Sequence, residues 1–290
     1  MTTSHLDSTA PEILRYVAFS TDPAGGNPAG VVPAAGGLDD ATQLAIAAEL
    51  GYSETAFLTP AGPEREYAVR YFSPLTEVPF CGHATVAAAV ALADRIGAGR
   101  LLFRTKAGEV PVEVAPGPGG ALEATLTSVE PKVEEIGAAE LAEALAALGW
   151  AAEELDAALP PRIAYAGARH LVLAAATRER LADLAYDFDR LARFMTGLDL
   201  VTLQLVWRES ADTFHVRNPF PVGGVVEDPA TGAAAAAFGA YLRELGLATP
   251  PAVLTLHQGV DLGRPGRLRV ELRAGDPRVR VSGAAVRIAG

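Results

Sequence analysis

A motif that repeats at a fixed distance constrains the fold of this 290-residue sequence more than any other feature. Glu77-Val-Pro-Phe-Cys-Gly aligns with Glu227-Asp-Pro-Ala-Thr-Gly at a constant offset of 150 residues, as between Gly82 and Gly232. An alanine-rich run without a polar face follows each copy, and such a helix is normally buried on all sides. Duplication explains the fixed spacing better than a chance match in an alanine-rich chain.

The two runs predict central helices that start at Ala84 and Ala233. Short strands joined by Gly/Pro turns surround both, and helices do not alternate regularly with strands, so a doubly wound sheet is disfavoured. The predicted class is α+β, with two pseudo-symmetric domains that each wrap a curved, mostly antiparallel sheet around an alanine-rich helix. The predicted domains are residues 12–117, completed by the C-terminal strand 278–290, and residues 118–277. Surface helices are predicted over Val133–Leu159, with a break at Gly149, and over Arg178–Met195.

Composition excludes several classes of function. The formal net charge of −11 leaves no electrostatic footprint for nucleic acid or an anionic membrane. One cysteine permits neither an intrachain disulfide nor a cysteine-based metal cluster, and it fits a reducing compartment. The polar N-terminal segment 1–11 is not a signal peptide, and no apolar run has spanning length, so a cytoplasmic protein is expected. Phosphate-binding, dinucleotide-binding and serine-hydrolase motifs are missing, so no cofactor is predicted.

The repeat has a consequence for ligand binding. Each predicted helix begins just after a glycine, Gly82 or Gly232. The first N–H groups of a helix lack internal partners, and its dipole is positive at that end. Two such ends facing one cleft predict a site for a small anion without Lys or Arg. His83, Thr231 and Asp228 would then touch the ligand.

Three polar side chains near these helix ends are candidates for catalysis. Glu54 precedes an apolar strand, where partial burial would raise its pKa and suit it to general acid–base work; a capping or surface glutamate is the alternative. His83 either contacts the ligand or caps the first helix. Asp228 either orients His83 or the substrate, or serves as a turn residue before Pro229.

Cys81 and Asn27 carry further alternatives. Cys81 stands at the start of the first helix, and Thr231 holds the matching position of the second. A thiol at a helix N-terminus with a lowered pKa can act as a base, but a small buried apolar residue is the preferred interpretation. Asn27 is either a ligand amide or a turn residue. No His-Glu-x-x-His pattern occurs, and no metal site is predicted.

Several segments together resemble the phenazine-biosynthesis isomerase-like family, which is similar in fold to diaminopimelate epimerase. They follow the family's order through almost the whole chain and are specific as a set. They are Ala18-Phe19 through Gly26-Asn27-Pro28-Ala29, Tyr52-Ser53-Glu54-Thr55, Phe72-Ser-Pro, Glu77-Val-Pro-Phe-Cys-Gly-His-Ala-Thr, Asp228-Pro-Ala-Thr-Gly and His257-Gln-Gly.

This resemblance implies a homodimer, no cofactor, and a site between two similar domains that binds a small anionic metabolite. It assigns the acid/base glutamate to Glu54, the site histidine to His83 and the site aspartate to Asp228. The family's best-known member converts an enol to a ketone within dihydro-hydroxyanthranilate, which implies proton transfer between carbons by Glu54. The expected substrate-binding residues are Asn27, Ser53, Cys81, Gly82, Thr231, Gly232 and Ala233.

Two positions depart from the related enzymes. The phenazine enzyme has a serine where this chain has Ala233, which removes one hydrogen bond to the substrate. The epimerase uses one cysteine per half, whereas Cys81 is matched here by Thr231. A one-base, cofactor-independent isomerase acting at a carbon acid of a small carboxylate is therefore preferred. A metabolite-binding protein that has lost catalysis, and an epimerase or racemase using Cys81, remain as alternatives.

Overall fold

A computed structural model describes residues 11–62 and 64–289. The N-terminal segment 1–10 and the last residue of the predicted strand 278–290 lie outside the described residues. The strands are β1 Leu14–Ala18, β2 Asn27–Val32, β3 Thr55–Pro60, β4 Glu66–Phe72, β5 Glu77–Val78, β6 Gly99–Thr105, β7 Gly108–Pro116, β8 Leu122–Thr127, β9 Lys132–Glu135, β10 Arg162–Tyr165, β11 Arg169–Ala174, β12 Thr202–Arg208, β13 Thr213–Phe220, β14 Val225–Asp228, β15 Ala252–Gln258, β16 Gly266–Leu272 and β17 Val279–Arg287. The helices are α1 Asp40–Leu50, α2 Gly82–Ile96, α3 Ala138–Leu148, α4 Arg178–Ala182, α5 Phe188–Gly197 and α6 Gly232–Glu244.

The strands follow one pairing scheme twice. β2 pairs in parallel with β3, β4 pairs with both β3 and β5 in antiparallel fashion, and β4 then pairs in parallel with β6. The same sequence of pairings recurs among β11, β12, β13, β14 and β15. The alanine-rich helices occupy matching places, α2 between β5 and β6 and α6 between β14 and β15. The fold is thus mixed α+β and dominated by a sheet that pairs mostly in antiparallel fashion.

The sheet curves around the two alanine-rich helices. In the first half β1, β2, β3, β4, β6, β7, β8 and β17 form a closed circuit of pairings. α2 packs against β1, β2, β8 and β17, whereas α6 packs against β9, β10, β11, β16 and β17. β8 lies beyond residue 117, where the domain boundary is predicted, and it contacts α2. β17 is shared by the two halves of the sheet, because it contacts both α2 and α6 and also pairs with β16.

Local sequence explains how α1 begins and ends and why α2 is buried. The sequence indicates Asp39 or Asp40 as the cap of α1, and in the structure the side chain of Asp39 accepts a hydrogen bond from the backbone N–H of Thr42. Gly51 ends α1 in the left-handed region at φ 66°, which glycine adopts without steric cost. In α2 every residue from His83 to Ala93 is buried, as the lack of a polar face predicts. Among the described residues no helix is both long and apolar enough to cross a membrane.

The sequence predicts a surface helix over Val133–Leu159, but only part of this segment is helical. It contains β9, then α3, and after Gly149 a single 3-10 turn at Ala152–Glu154. β9 pairs with the edge of β10, so a tertiary contact overrides local helical preference there. The second predicted surface helix is divided into α4 and α5, because Asp187 caps a new helix through a hydrogen bond from the N–H of Arg190.

A bidentate ion pair occupies the same place in both halves. Arg70 on β4 donates from Nε and Nη2 to the carboxylate of Glu77 on β5, at 2.8 and 2.7 Å. Arg217 on β13 donates likewise to Glu227 on β14, with 2.6 Å between Nη2 and Oε2. The first pair is half-buried, whereas the side chains of Arg217 and Glu227 are 10% and 1% exposed. Each pair fixes the short strand that leads into an alanine-rich helix.

Candidate active site

Glu54 lies between α1 and β3, with its carboxylate beside the start of α2. Its side chain is 16% exposed, and burial raises its pKa above the ordinary 4.5, although hydrogen bonds from Ser53 and Cys81 partly oppose this shift. The Sγ of Cys81 donates to Oε2 of Glu54 at 3.4 Å, and Nε2 of His83 lies 3.4 Å from the same oxygen. A largely buried carboxyl with a raised pKa is suited to taking and returning a proton.

His83 is the second residue of α2 and bridges Ser53 and Cys81. Its Nε2 lies 3.2 Å from Oγ of Ser53, and its Nδ1 lies 3.3 Å from Sγ of Cys81. Burial lowers the pKa of His83 below 6.5, because it disfavours the imidazolium, although the charge of Asp228 partly opposes this. The ring is therefore neutral at pH 7 and has one N–H to donate.

Cys81 is the residue that caps α2, and its thiol contacts Glu54 and His83. Burial raises its pKa well above 9.0, and the charge of Glu54 raises it further. At neutral pH the thiol keeps its proton, which agrees with its role as hydrogen-bond donor to Glu54. The sequence leaves open a lowered thiol pKa at this helix end, and the structure corrects it, since burial outweighs the helix dipole.

Asp228 is the last residue of β14 and lies near the start of α6. Its Oδ1 accepts a hydrogen bond from Nδ2 of Asn27 at 2.8 Å, and its Oδ2 accepts one from the hydroxyl of Thr231. Burial raises the pKa of Asp228. The charge of Glu54 raises this pKa further, whereas the neighbouring His83 partly opposes the shift. Asn27 begins β2 in the first half, so this amide joins the two halves through a contact made over 201 residues of sequence.

The remaining predicted residues lie at the two helix starts. Gly82 opens α2, and a Cβ there would meet nothing within 4 Å, so the backbone is accessible on that side. Gly232 opens α6, where a Cβ would lie 3.3 Å from the ring of Phe19. Thr231 directs its hydroxyl at Asp228, and Ala233 is half-buried on the first turn of α6. α2 and α6 contact each other.

Gln258 supports the site, although no role was predicted for it beyond its place in His257-Gln-Gly. It is 1% exposed at the end of β15. Its Oε1 accepts from the backbone N–H of Thr231 at 2.9 Å, and its Nε2 donates to the carbonyl of Asp228 at 2.8 Å. It therefore fixes the turn that carries Asp228. A polar residue at the end of an apolar strand is the only sequence signal that indicates this contact.

Two grooves lie elsewhere, on the face of the sheet opposite the helices. They measure about 490 and 300 Å³ and are lined by residues of β6, β7, β8, β15, β16 and β17 with neighbouring loops. Charged side chains such as Arg100, Glu113 and Arg280 line the first. Neither groove contains Glu54, His83 or Asp228.

Three of the side chains at the start of α2 also have the chemical types of metal ligands. Glu54, Cys81 and His83 offer oxygen, sulfur and nitrogen atoms that all lie within 4.8 Å of one another. They are separated by 27 and 2 residues in sequence, so no motif spacing indicates them.

A family model described as phenazine biosynthesis-like protein matches residues 16–290. The chain belongs to the phenazine biosynthesis-like protein family. The fold, the order of the motifs and this match agree, and the predicted resemblance is confirmed.

Relatives in this family carry names of one enzyme class. An uncharacterized isomerase of Mesorhizobium japonicum is 33% identical, with 95% of this chain and 96% of the relative covered. The trans-2,3-dihydro-3-hydroxyanthranilate isomerase of Pseudomonas fluorescens is 31% identical, with 93% and 94% covered. The prediction that the chain is an isomerase is thereby confirmed.

Solved structures place the family within a wider fold. A predicted epimerase of Pseudomonas aeruginosa superposes with a TM-score of 0.85 at 29% identity, with 97% of this chain and 98% of that chain covered. A probable proline racemase of Agrobacterium radiobacter matches with a TM-score of 0.64 at 13% identity, with 97% and 92% covered. The latter shares the fold alone, and the phenazine biosynthesis-like family thus has an epimerase/racemase fold.

Proposed function

We propose that this isomerase moves a proton between carbon atoms of a small carboxylate metabolite without a cofactor, and that Glu54 is its general acid and base. One observation carries the proposal. The buried carboxylate of Glu54, whose pKa burial raises, lies beside the neutral ring of His83 at the start of α2. Such a carboxyl takes a proton from carbon and returns it to another carbon.

The side chains beside Glu54 have separate roles in this proposal. The neutral imidazole of His83 donates a hydrogen bond to an oxygen that gains charge as the proton leaves carbon. Asp228 faces this pair from the start of α6 and is held by Asn27 and Thr231. The thiol of Cys81 holds the Glu54 carboxylate in place through its hydrogen bond.

The two helix starts favour an anionic substrate. Gly82 and Gly232 open α2 and α6, and their first N–H groups provide partial positive charge without a Lys or Arg among the named site residues. The anthranilate-type substrate of the Pseudomonas fluorescens relative fits this class. Ala233 would offer no hydroxyl to that substrate, so a different small carboxylate is the preferred one.

The remaining architecture belongs to the same proposal. The repeated pairing scheme and the repeated ion pair support two pseudo-symmetric domains with the site in the cleft between them. The homodimer that the family resemblance implies is part of this proposal, and so is a cytoplasmic location.

Deuterium uptake tests the proposal directly. The protein is incubated in D₂O with small amino and hydroxy carboxylates, including trans-2,3-dihydro-3-hydroxyanthranilate, and NMR follows deuterium bound to carbon. Exchange or turnover that disappears in the Glu54→Gln variant supports proton transfer by Glu54. Exchange that persists in this variant rejects the role of Glu54. Ligand binding without exchange by wild-type protein would favour the binding-protein alternative.

The acidic limb of the pH–rate profile depends on the same carboxyl. A base must be unprotonated, and burial holds the pKa of Glu54 above 4.5. We therefore expect kcat/KM to rise with pH along a limb whose apparent pKa lies above 4.5. This apparent value belongs to the coupled group of Glu54, Asp228 and His83. The Glu49→Gln variant, at an exposed position of α1, should leave the limb unchanged. A limb at or below 4.5 contradicts the assignment.

An epimerase that uses Cys81 is the second candidate. The contact between Sγ of Cys81 and Glu54, at 3.4 Å, favours it, because the thiol lies directly beside the proposed acid/base carboxyl. Thr231 stands where the second thiol of a two-cysteine epimerase is expected, and the raised pKa of Cys81 opposes a thiolate base. The Cys81→Ser variant separates the candidates, since an isomerase with Glu54 as its base retains turnover and a thiol-based epimerase loses it.

A further inference from the structure

Three donor atoms of different chemical type lie close together at the start of α2. The Sγ of Cys81 lies 3.4 Å from Oε2 of Glu54 and 3.8 Å from Nε2 of His83. The third side of the triangle, between Nε2 of His83 and Oε2 of Glu54, measures 3.4 Å. All three side chains are largely buried, with 16% exposure for Glu54 and 6% for His83.

This triangle is close in size to one face of a zinc tetrahedron, although its 3.8 Å side, between Sγ of Cys81 and Nε2 of His83, is slightly longer. Zinc binds sulfur at about 2.3 Å and nitrogen or oxygen at about 2.0–2.2 Å, so tetrahedral geometry separates its ligands by roughly 3.3–3.6 Å. The imidazole must turn about its own axis for a ring nitrogen to face the centre of the triangle. A thiolate, an imidazole and a carboxylate together favour zinc over magnesium or calcium, which prefer oxygen ligands.

We propose that Glu54, Cys81 and His83 form a zinc-binding site, and that Zn²⁺ is a reversible inhibitor of this enzyme. The inhibition, but not the binding, rests on the proposed role of Glu54. On binding, the Sγ–H bond of Cys81 breaks and an Sγ–Zn bond forms, while the proton leaves to solvent and no atom changes oxidation state. Glu54 gives its oxygen lone pair to the metal, so it can no longer take a proton from substrate.

The helix dipole of α2 disfavours binding of Zn²⁺, whereas two nearby carboxylates favour it. The positive end of the α2 dipole repels a cation, but this effect is weak and local compared with three coordinate bonds. The charges of Glu54 and Asp228 both raise the pKa of the Cys81 thiol, so both carboxylates lie near the group and attract a cation. The fourth zinc position remains for water or a substrate oxygen.

The single cysteine of the chain makes the binding test specific. Full-length, metal-free protein is titrated with Co²⁺, which replaces Zn²⁺ and gives a near-ultraviolet sulfur-to-cobalt absorption band when a thiolate binds it. Cys81 is the only thiol in the sequence, so any such band belongs to it. We expect the band in wild-type protein, its loss on adding Zn²⁺, and its absence in the Cys81→Ser variant.

Affinity and activity complete the experiment. Cys81→Ser should raise the Kd for Zn²⁺ more than about 100-fold, since even indirect support of a metal ligand is worth 10- to 100-fold. Glu54→Gln, which keeps shape and thiol, should raise it at least about 10-fold. The control is His215→Gln, because His215 contacts Glu209 and His257 on another part of the sheet, away from the three proposed ligands. It should leave the band and the inhibition unchanged.

The outcomes separate the two proposals. A cobalt band together with Zn²⁺ inhibition that a chelator reverses supports both. A band in protein that turns over no substrate supports the metal site while the proposed function fails. Turnover by wild-type protein with no cobalt band, and with equal Zn²⁺ affinity in Cys81→Ser, overturns the metal site and leaves the isomerase standing.

Discussion

Replacement of Glu54 by glutamine should lower kcat about 1000-fold with little change in KM, because general acid–base catalysis contributes about 10²- to 10⁴-fold. The amide keeps the shape of the carboxylate and can still accept the hydrogen bond from Cys81, which is 3.4 Å long. It cannot accept a proton from carbon. Steady-state rates with the substrate found by deuterium uptake, fitted separately for kcat and KM, provide the measurement.

Stability distinguishes this loss from misfolding. Burial raises the pKa of Glu54 in the folded protein. A carboxyl of this kind stabilises the fold at pH below its unfolded pKa, and that contribution is lost as pH rises through the folded pKa. The neutral glutamine avoids the loss, so the variant should have an equal or higher Tm at pH 7. A matched Glu49→Gln variant should keep full activity. A variant of Glu54 with wild-type kcat would falsify the assignment.

The second large effect concerns stability and compares the two repeated ion pairs. Glu227→Gln leaves the guanidinium of Arg217, 10% exposed, without its partner charge, and breaking a buried pair in this way costs about 3–5 kcal/mol. The matching change, Glu77→Gln, leaves Arg70 at 32% exposure and still bound to Asp40, so about 1 kcal/mol is expected. Urea unfolding at pH 7 gives both free energies of unfolding.

A double variant isolates the cause. Changing Arg217 to Met together with Glu227→Gln removes the unpaired charge and should recover most of the stability, because buried ion pairs are often replaceable by apolar groups. Equal losses for Glu77→Gln and Glu227→Gln would show that burial does not separate the two pairs.

The sequence predicts those elements whose cause is local. The cap by Asp39, the end of α1 at Gly51 and the two alanine-rich helices each follow from composition within a few residues, and the structure contains them all. The repeat at a constant offset predicts that both helices begin alike, as they do. The strands β5 and β14 were not predicted, because two and four residues are too few to give a hydrophobic period.

The rest depends on contacts between distant segments. The strand β9 forms because β10 offers it an edge, and no local pattern in Val133–Glu135 indicates this. In the site, the contact between Asn27 and Asp228 spans 201 residues, and the direction of the thiol pKa shift depends on burial by surrounding elements. Residue types indicate that Cys81 and Glu54 matter, but only the folded chain brings their atoms to 3.4 Å.

The position of β17 sets an order for folding on the ribosome. β1, at residues 14–18, pairs with β17, at residues 279–287, and β17 also pairs with β8. The ring of strands around α2 thus cannot close until the last of these residues has been synthesised. A chain of this design emerges at about 5–20 residues per second, so the first half waits about 10 s or more with two unpaired strand edges. Such edges invite wrong pairing, and we expect nascent chains of this protein to need chaperones until β17 has emerged from the ribosome.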